Sequence, residues 1–275
     1  MTREASIIEL GDWLQTPPGR CLLSWEQACL DRAVADLFGF HALQLGMPEM
    51  DALRTNRMPH RWLANEGLAI PPLIPMPPPD DELASTLPGE ITVNLHCLPE
   101  ALPFADQSLD LVVMPHTLEL ARDAHQALAE VTRVLRPEGR LVLVGLNPAS
   151  FWALRQKAGR LRRGLGLAQR EPLYLPRTGE FIGYWRLRDW LRLLSMDVES
   201  ARFGCYRPPF RSERWLLRTE WMEAVGERWW PVLGSVYFVQ AVKRVRGMRL
   251  VGLAPQPARV SRAFPSTVAN RDDLA

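Results

Sequence analysis

Apolar positions along the chain fall into two patterns: short strand-like stretches, and stretches in which apolar residues recur every three to four positions. FHALQL (40–45), LDLVVM (109–114) and LVLVGL (141–146) are nearly continuous apolar runs and predict strands buried on both faces. PHRWLAN (59–65), ITVNLHC (91–97), DVESARF (197–203) and SVYFVQAV (235–242) also read as strands, with Pro59 at a strand start or on an edge. Helical spacing predicts a helix carrying Leu30, Val34, Leu37 and Phe38, opened by the capping-box pair Ser24 and Gln27 and stopped at Gly39. A second helix is capped by Asp123 with Gln126, carries Leu128, Val131 and Leu135 on one face, and ends at Pro137 and Gly139. Others run from a Ser150 cap through Arg163, along the stripe Leu187, Trp190, Leu191 and Leu194, and over 213–230. PPLIPMPPPDD (71–81) is too rich in proline for a helix interior or a central strand, and reads as a stiff surface connection.

Strands alternating with helices imply an α/β fold with a mostly parallel sheet covered on both faces, in which 40–45, 109–114 and 141–146 are central neighbours. Ligands in such sheets bind beyond the carboxyl ends of the strands. The loops after 45, 65, 97, 114 and 146 are therefore where chemistry is to be sought. Composition adds boundaries rather than function. The net charge of +2 does not by itself point to nucleic acid. Cys21, Cys29, Cys97 and Cys205 form no CxxC pair and read as reduced thiols, not as a disulfide frame or a zinc site. No metal is expected. The N-terminal stretch MTREASIIEL lacks a signal-peptide core and no apolar run is long enough to cross a bilayer, so a soluble, cytoplasmic protein is expected.

LPFADQSLDLVVMPHTLEL (102–120) followed by HQALAEVTRVLRPEGRLVLVGLNP (125–148) resembles the type 11 methyltransferase domain of the class I S-adenosylmethionine-dependent methyltransferases. The matching positions are Leu102-Pro103-Phe104, Leu109-Asp110, His116 with Leu118-Glu119, and Glu130-Val131 to Arg136-Pro137. Weaker similarity runs from about residue 20 to 245. The resemblance implies a doubly wound, mostly parallel seven-stranded sheet of the Rossmann-like type with an antiparallel last strand. It implies an extension over 1–20, the domain over 21–250 with substrate-side elaborations over about 151–232, and a disordered tail over 251–275. It also implies S-adenosylmethionine as cofactor and an unidentified methyl acceptor, a small molecule in the first instance.

By that resemblance the cofactor contacts fall on Gln44, Gly46, Asn65, Glu66, Leu98, Pro99, Met114, Pro115 and His116. The family's first strand ends Asp/Glu-x-Gly-x-Gly-x-Gly. Here Gln44-Leu45-Gly46-Met47-Pro48-Glu49 keeps one glycine. Met47 and Pro48 restrict close backbone approach, and Pro48 removes an amide donor. Pro48 suits a helix start, with Glu49 and Asp51 in its first turn; these acids oppose the methionine carboxylate but could meet its α-ammonium. The ribose-binding acid falls on Asn65 or Glu66, and the adenine-binding acid on Leu98.

Methyl transfer from a sulfonium is an in-line displacement that depends chiefly on positioning. His116, Glu119 and Tyr184 are the candidates for deprotonating an acceptor. His116 reads first as a partly buried hydrogen-bonding histidine rather than a base, and Asp110 reads as an acceptor for backbone donors in a turn. TGEFIGYW (178–185) either lines an acceptor pocket or packs on the sheet edge. LRQKAGRLRRGLGLAQR (154–170) holds six cations and no acids. It is either a solvated helix face, with Leu154, Ala158 and Leu161 docked on the sheet, or a patch for RNA, anionic lipid or an acidic substrate. The ten tryptophans are expected mostly in the core. The function implied is a methyltransferase; the alternative is a non-catalytic binding protein on the same fold, contacting nucleic acid through 154–170.

Overall fold

The computed structural model describes residues 3–65, 95–165, 173–176 and 181–244. Two helices, α1 (Arg3–Leu14) and α2 (Pro17–Val34), precede the strands β1 (His41–Leu45), β2 (His60–Asn65) and β3 (Leu95–His96). β4 (Leu109–Pro115) runs into the single turn α3 (Thr117–Leu120), followed by α4 (Ala124–Val134), β5 (Leu135–Leu146) and α5 (Phe151–Gly164). Then come α6 (Tyr184–Leu193), β6 (Met196–Gly204), α7 (Glu213–Arg218), α8 (Trp221–Trp229) and β7 (Val236–Lys243). The proline-rich stretch 71–81, residues 91–94 of the third expected strand and the tail 251–275 lie outside the described residues.

The strands form one sheet in the order β3-β2-β1-β4-β5-β7-β6. β1 to β5 pair in parallel, and β7 runs antiparallel to both of its neighbours. This is the expected doubly wound sheet with an antiparallel last strand, and β1, β4 and β5 are its central neighbours. The strand order reverses between β1 and β4, which opens a crevice above their carboxyl ends.

Both faces are covered, as the continuous apolar runs require. Successive residues of β4 point to opposite sides. Leu111 and Val113 meet Leu22, Leu30, Val34 and Trp152 in one cluster. Val112 and Met114 meet Leu128, Val131, Leu187 and Leu191 in the other. α1 belongs to the first cluster through Leu10 and Leu14, so part of the expected N-terminal extension packs within the domain's core.

Several local expectations are corrected by the structure. α2 begins at Pro17, where Thr16 accepts from the Gly19 amide, and Pro17 and Pro18 suit a first turn. Ser24, the expected cap, lies inside that helix and donates to the Cys21 carbonyl. Phe38 is exposed rather than part of a helical stripe. Gly39 does not stop the helix, which ends at Val34. Its role is steric, because a Cβ there would fall 2.5 Å from Asp110 Cβ. Pro48 lies in turns rather than at a helix start. The stretch 213–230 breaks into α7 and α8, where Thr219 Oγ1 donates to the Trp215 and Leu216 carbonyls and competes with the helical ladder. Asp123 and Ser150 cap α4 and α5 as expected.

The docked side of α5 is also the opposite of the expected one. Trp152 Nε1 donates to the Arg207 carbonyl, and Gln156 exchanges bonds with the Leu175 backbone. These partners turn Trp152, Ala153 and Gln156 inward and leave Leu154 and Leu161 exposed. The expectation for the tryptophans fails likewise: Trp185, Trp215, Trp221, Trp229 and Trp230 are exposed.

Asp110 acts as a backbone acceptor. Its Oδ2 accepts from the amides of Phe40 (2.8 Å) and His41 (3.0 Å), and its Oδ1 accepts from Arg136 (3.0 Å). Burial pushes its pKa up, but these donors together hold it below the usual carboxylate range. Asp110→Ala should therefore lower stability by roughly 1–3 kcal/mol in urea titrations at neutral pH. The wild-type advantage should be full above pH 3.8, the free value, and vanish as pH falls through the lower folded value. An advantage that persists unchanged in acid would refute this role.

Candidate functional site

The crevice at the strand switch is a cleft walled by Gly46, Met47, Pro48 and Glu49 after β1 and by Asn65 at the end of β2. Cys97 and Pro99 after β3, and Pro115 and Thr117 at the end of β4, complete the strand-end wall. Leu10, Gly11 and Leu14 of α1 close the remaining side. The open space, counted out to the solvent at the mouth, is about 540 Å³. Its walls are mostly apolar, and Glu49 is the one carboxylate among the described lining residues.

The first wall depends on two consecutive residues with positive φ, Gly46 (76°) and Met47 (53°). A Cβ on Gly46 would fall 3.1 Å from Thr117 Oγ1, so glycine serves both the turn and the close approach. Gln44 holds the loop from below. Its amide nitrogen donates to the carbonyls of Gly46 (3.2 Å), Met47 (3.1 Å) and Met50 (2.7 Å), while its oxygen accepts from Ala52 N (2.9 Å). The amide of Gly46 is bonded to the Ala64 carbonyl and that of Met50 to the Met47 carbonyl.

Behind the cleft lies a buried charge cluster. His116, with φ of 51°, sits at the junction of β4 and α3. Its Nε2 is 2.8 Å from Glu26 Oε1 of α2, and its Nδ1 is 3.1 Å from Glu119 Oε2. All three side chains are buried. Glu119 also accepts from the Leu146 amide at the end of β5. Desolvation is the largest influence on His116 and pushes its pKa down. The two carboxylates outweigh it and hold the value well above that of free imidazole. Burial raises the Glu26 pKa, an effect only partly countered by His116.

The sequence-derived candidates are thus divided. Gly46, Asn65, Pro99 and Pro115 line the cleft together. Gln44 supports the loop without lining it, Leu98 is partly exposed outside it, and Met114 is buried in the core on the α4 side of the sheet. Glu66 lies outside the described residues. His116 and Glu119, two of the three candidate bases, are buried in the charge cluster and do not line the cleft wall. Tyr184, the third, packs edge-on against Phe203 and Trp185 at the start of α6 and is not part of the cleft wall. Residues 178–180 of the suggested acceptor segment lie outside the described residues. Sequence reasoning missed Glu26 and the α1 wall. Glu26 has the pattern of an ordinary helical acid, and α1 shows no distinct apolar stripe, so neither carried a local signal.

Two measurements test this arrangement. Gln44→Glu places a carboxylate against three carbonyls and should cost roughly 2 kcal/mol in chemical denaturation, a loss that Gln44 as a mere spacer would not produce. His116→Gln removes one partner from a buried ionic cluster and should cost roughly 3–5 kcal/mol. The raised folded pKa makes the His116 contribution full below pH 6.5 and lost as pH rises through the folded value. Wild-type Tm should therefore fall as pH rises above 6.5, and the variant's slope should be flatter; parallel slopes would exclude a raised His116 pKa.

Residues 82–143 match the protein family described as a methyltransferase domain. Over 112 residues, 40% of this chain and 42% of the relative, the chain is 37% identical to the YafS protein of Escherichia coli K12. Over 45 residues, 16% of this chain and 18% of the relative, it is 51% identical to the ubiquinone/menaquinone biosynthesis C-methyltransferase UbiE of Hahella chejuensis. These matches span less than half the length of either relative. A solved S-adenosylmethionine-dependent methyltransferase of Archaeoglobus fulgidus superposes with a TM-score of 0.50 at 15% identity, covering 80% of this chain and 94% of that one, and so shares the fold. With its strand order, the 102–148 motif and the crevice at the strand switch, the chain has the class I methyltransferase fold and carries a stretch, 82–143, that matches a methyltransferase domain.

Proposed function

We propose that the protein is an S-adenosylmethionine-dependent methyltransferase that takes its cofactor in the Gly46 cleft. The observation that carries this reading is the cleft itself. It lies at the strand switch, with a positive-φ glycine where any Cβ would crowd Thr117. The lining fits the group. Asn65 can both donate to and accept from ribose hydroxyls, and Glu49 can meet the α-ammonium. Cys97, Pro99, Pro115 and the α1 leucines offer apolar walls for the adenine ring. When bound, the sulfonium would supply the transferable methyl group. The protein's own residues would bind, orient and exclude water. With His116 and Glu119 buried and Glu49 assigned to the α-ammonium, the described lining offers no further carboxylate base, and a small molecule that is already nucleophilic suits the cleft.

A second reading, a binding protein without catalysis, is favoured by the loop. The Gly46 and Met50 amides are used internally, and Pro48 has none, so few backbone donors remain for a carboxylate. Calorimetry separates the two. Wild type should bind S-adenosylmethionine and its demethylated product, and Gly46→Val should lose at least about tenfold in affinity because a branched residue resists positive φ and crowds Thr117. Absence of any heat at millimolar ligand would transfer the assignment to the binding-protein reading.

A further inference from the structure

Helix α5 turns an apolar stripe away from the protein. Leu154, Leu161 and, just past the helix end, Leu165 are 62%, 66% and 65% exposed. With Phe151 and Ala158 they follow one another in steps of three and four, and so form one stripe opposite the docked Trp152, Ala153 and Gln156. The helix carries five cations and no acid. At 100° per residue, Lys157 falls on one flank of the stripe and Arg155 and Arg162 on the other. Arg155 is held at that flank by the Pro209 carbonyl and by the Tyr174 ring beneath it. The stripe continues sideways into an apolar groove formed by Leu154, Ala158, Tyr206, Pro208 and Met222. Trp221, beside Met222 at the start of α8, is also exposed.

A row of leucines between rows of cations is the pattern of a helix lying in a membrane interface, where the apolar side enters the acyl boundary and the cations meet headgroup phosphates. Contacts to an RNA backbone would need the cations and would gain nothing from the leucines between them. Two copies joined through this stripe would bring two acid-free helices together, with like charges along both flanks. We propose that α5 and the adjoining groove form a docking surface for an anionic phospholipid bilayer. The proposal is independent of the cofactor reading. It describes attachment to a surface, and no described helix is long and apolar enough to span a membrane.

The test is flotation of the full chain with vesicles of phosphatidylcholine alone and of phosphatidylcholine mixed with phosphatidylglycerol, at low and physiological salt. Wild type should float with the mixed vesicles, less so as salt rises, and only weakly with phosphatidylcholine alone. Leu154→Ser with Leu161→Ser should lower partitioning at least about tenfold. Lys157→Glu with Arg162→Glu should lower it about tenfold and remove the preference for the anionic lipid. These positions are exposed, so helix content by circular dichroism should not change. The charge variant and the lipid dependence keep the test valid if the leucine variant misfolds. Failure of wild type to float, or equal flotation of wild type and a folded leucine variant, overturns the proposal. A concentration-dependent dimer lost in the leucine variant, without flotation, would assign the stripe to self-association. Salt-sensitive RNA binding indifferent to the leucines, without flotation, would assign the face to nucleic acid.

Discussion

A buried histidine held between two glutamates is the constraint around which this domain is arranged. A charge is tolerated at such depth only when partners and hydrogen bonds replace the lost water. Each partner here comes from a different part of the chain: Glu26 from α2, Glu119 from α3, and the Leu146 amide from the end of β5. None of these can shift without stranding a charge or a donor. Pro115 and Thr117 flank His116 in sequence and line the cleft. The cluster thus fixes one wall of the cleft from behind, with the histidine at position 116 buried in it.

The opposite wall is built on a different principle. A glycine-rich loop offers backbone amides to its ligand. This loop instead turns the carbonyls of Gly46, Met47 and Met50 inward, onto one side-chain amide. A carboxylate at position 44 could not donate to them, which accounts for glutamine where the family pattern has an acid. What remains exposed to the cleft is side-chain chemistry, chiefly Glu49 and Asn65. The cleft thus presents one carboxylate and one side-chain amide in place of a cradle of backbone donors.

The central strands were legible because burial on both faces leaves little choice of residue, as in LDLVVM and LVLVGL. Helix starts were legible where one capping residue stood alone, as at Asp123 and Ser150. They were misread where two start signals competed, since the Ser24–Gln27 pair lies inside a helix that Thr16 and two prolines had already opened. At the site, Gly46, Asn65, Pro99 and Pro115 followed from the order of the family's elements. The sequestration of His116 did not, because it depends on a glutamate 90 residues away. The orientation of α5 was ambiguous for a similar reason: its sequence carries two stripes able to dock, and distant backbone acceptors decide between them.

α1 supplies part of the cleft wall through Leu10, Gly11 and Leu14. Docking of this helix and occupancy of the cleft therefore share one coupling free energy, and the linkage is reciprocal. Whatever factor a bound ligand gains from a seated α1, the seating of α1 gains from the ligand. The first helix would thus be held more firmly by any ligand seated against it, in a site whose other walls are formed by loops at the ends of strands.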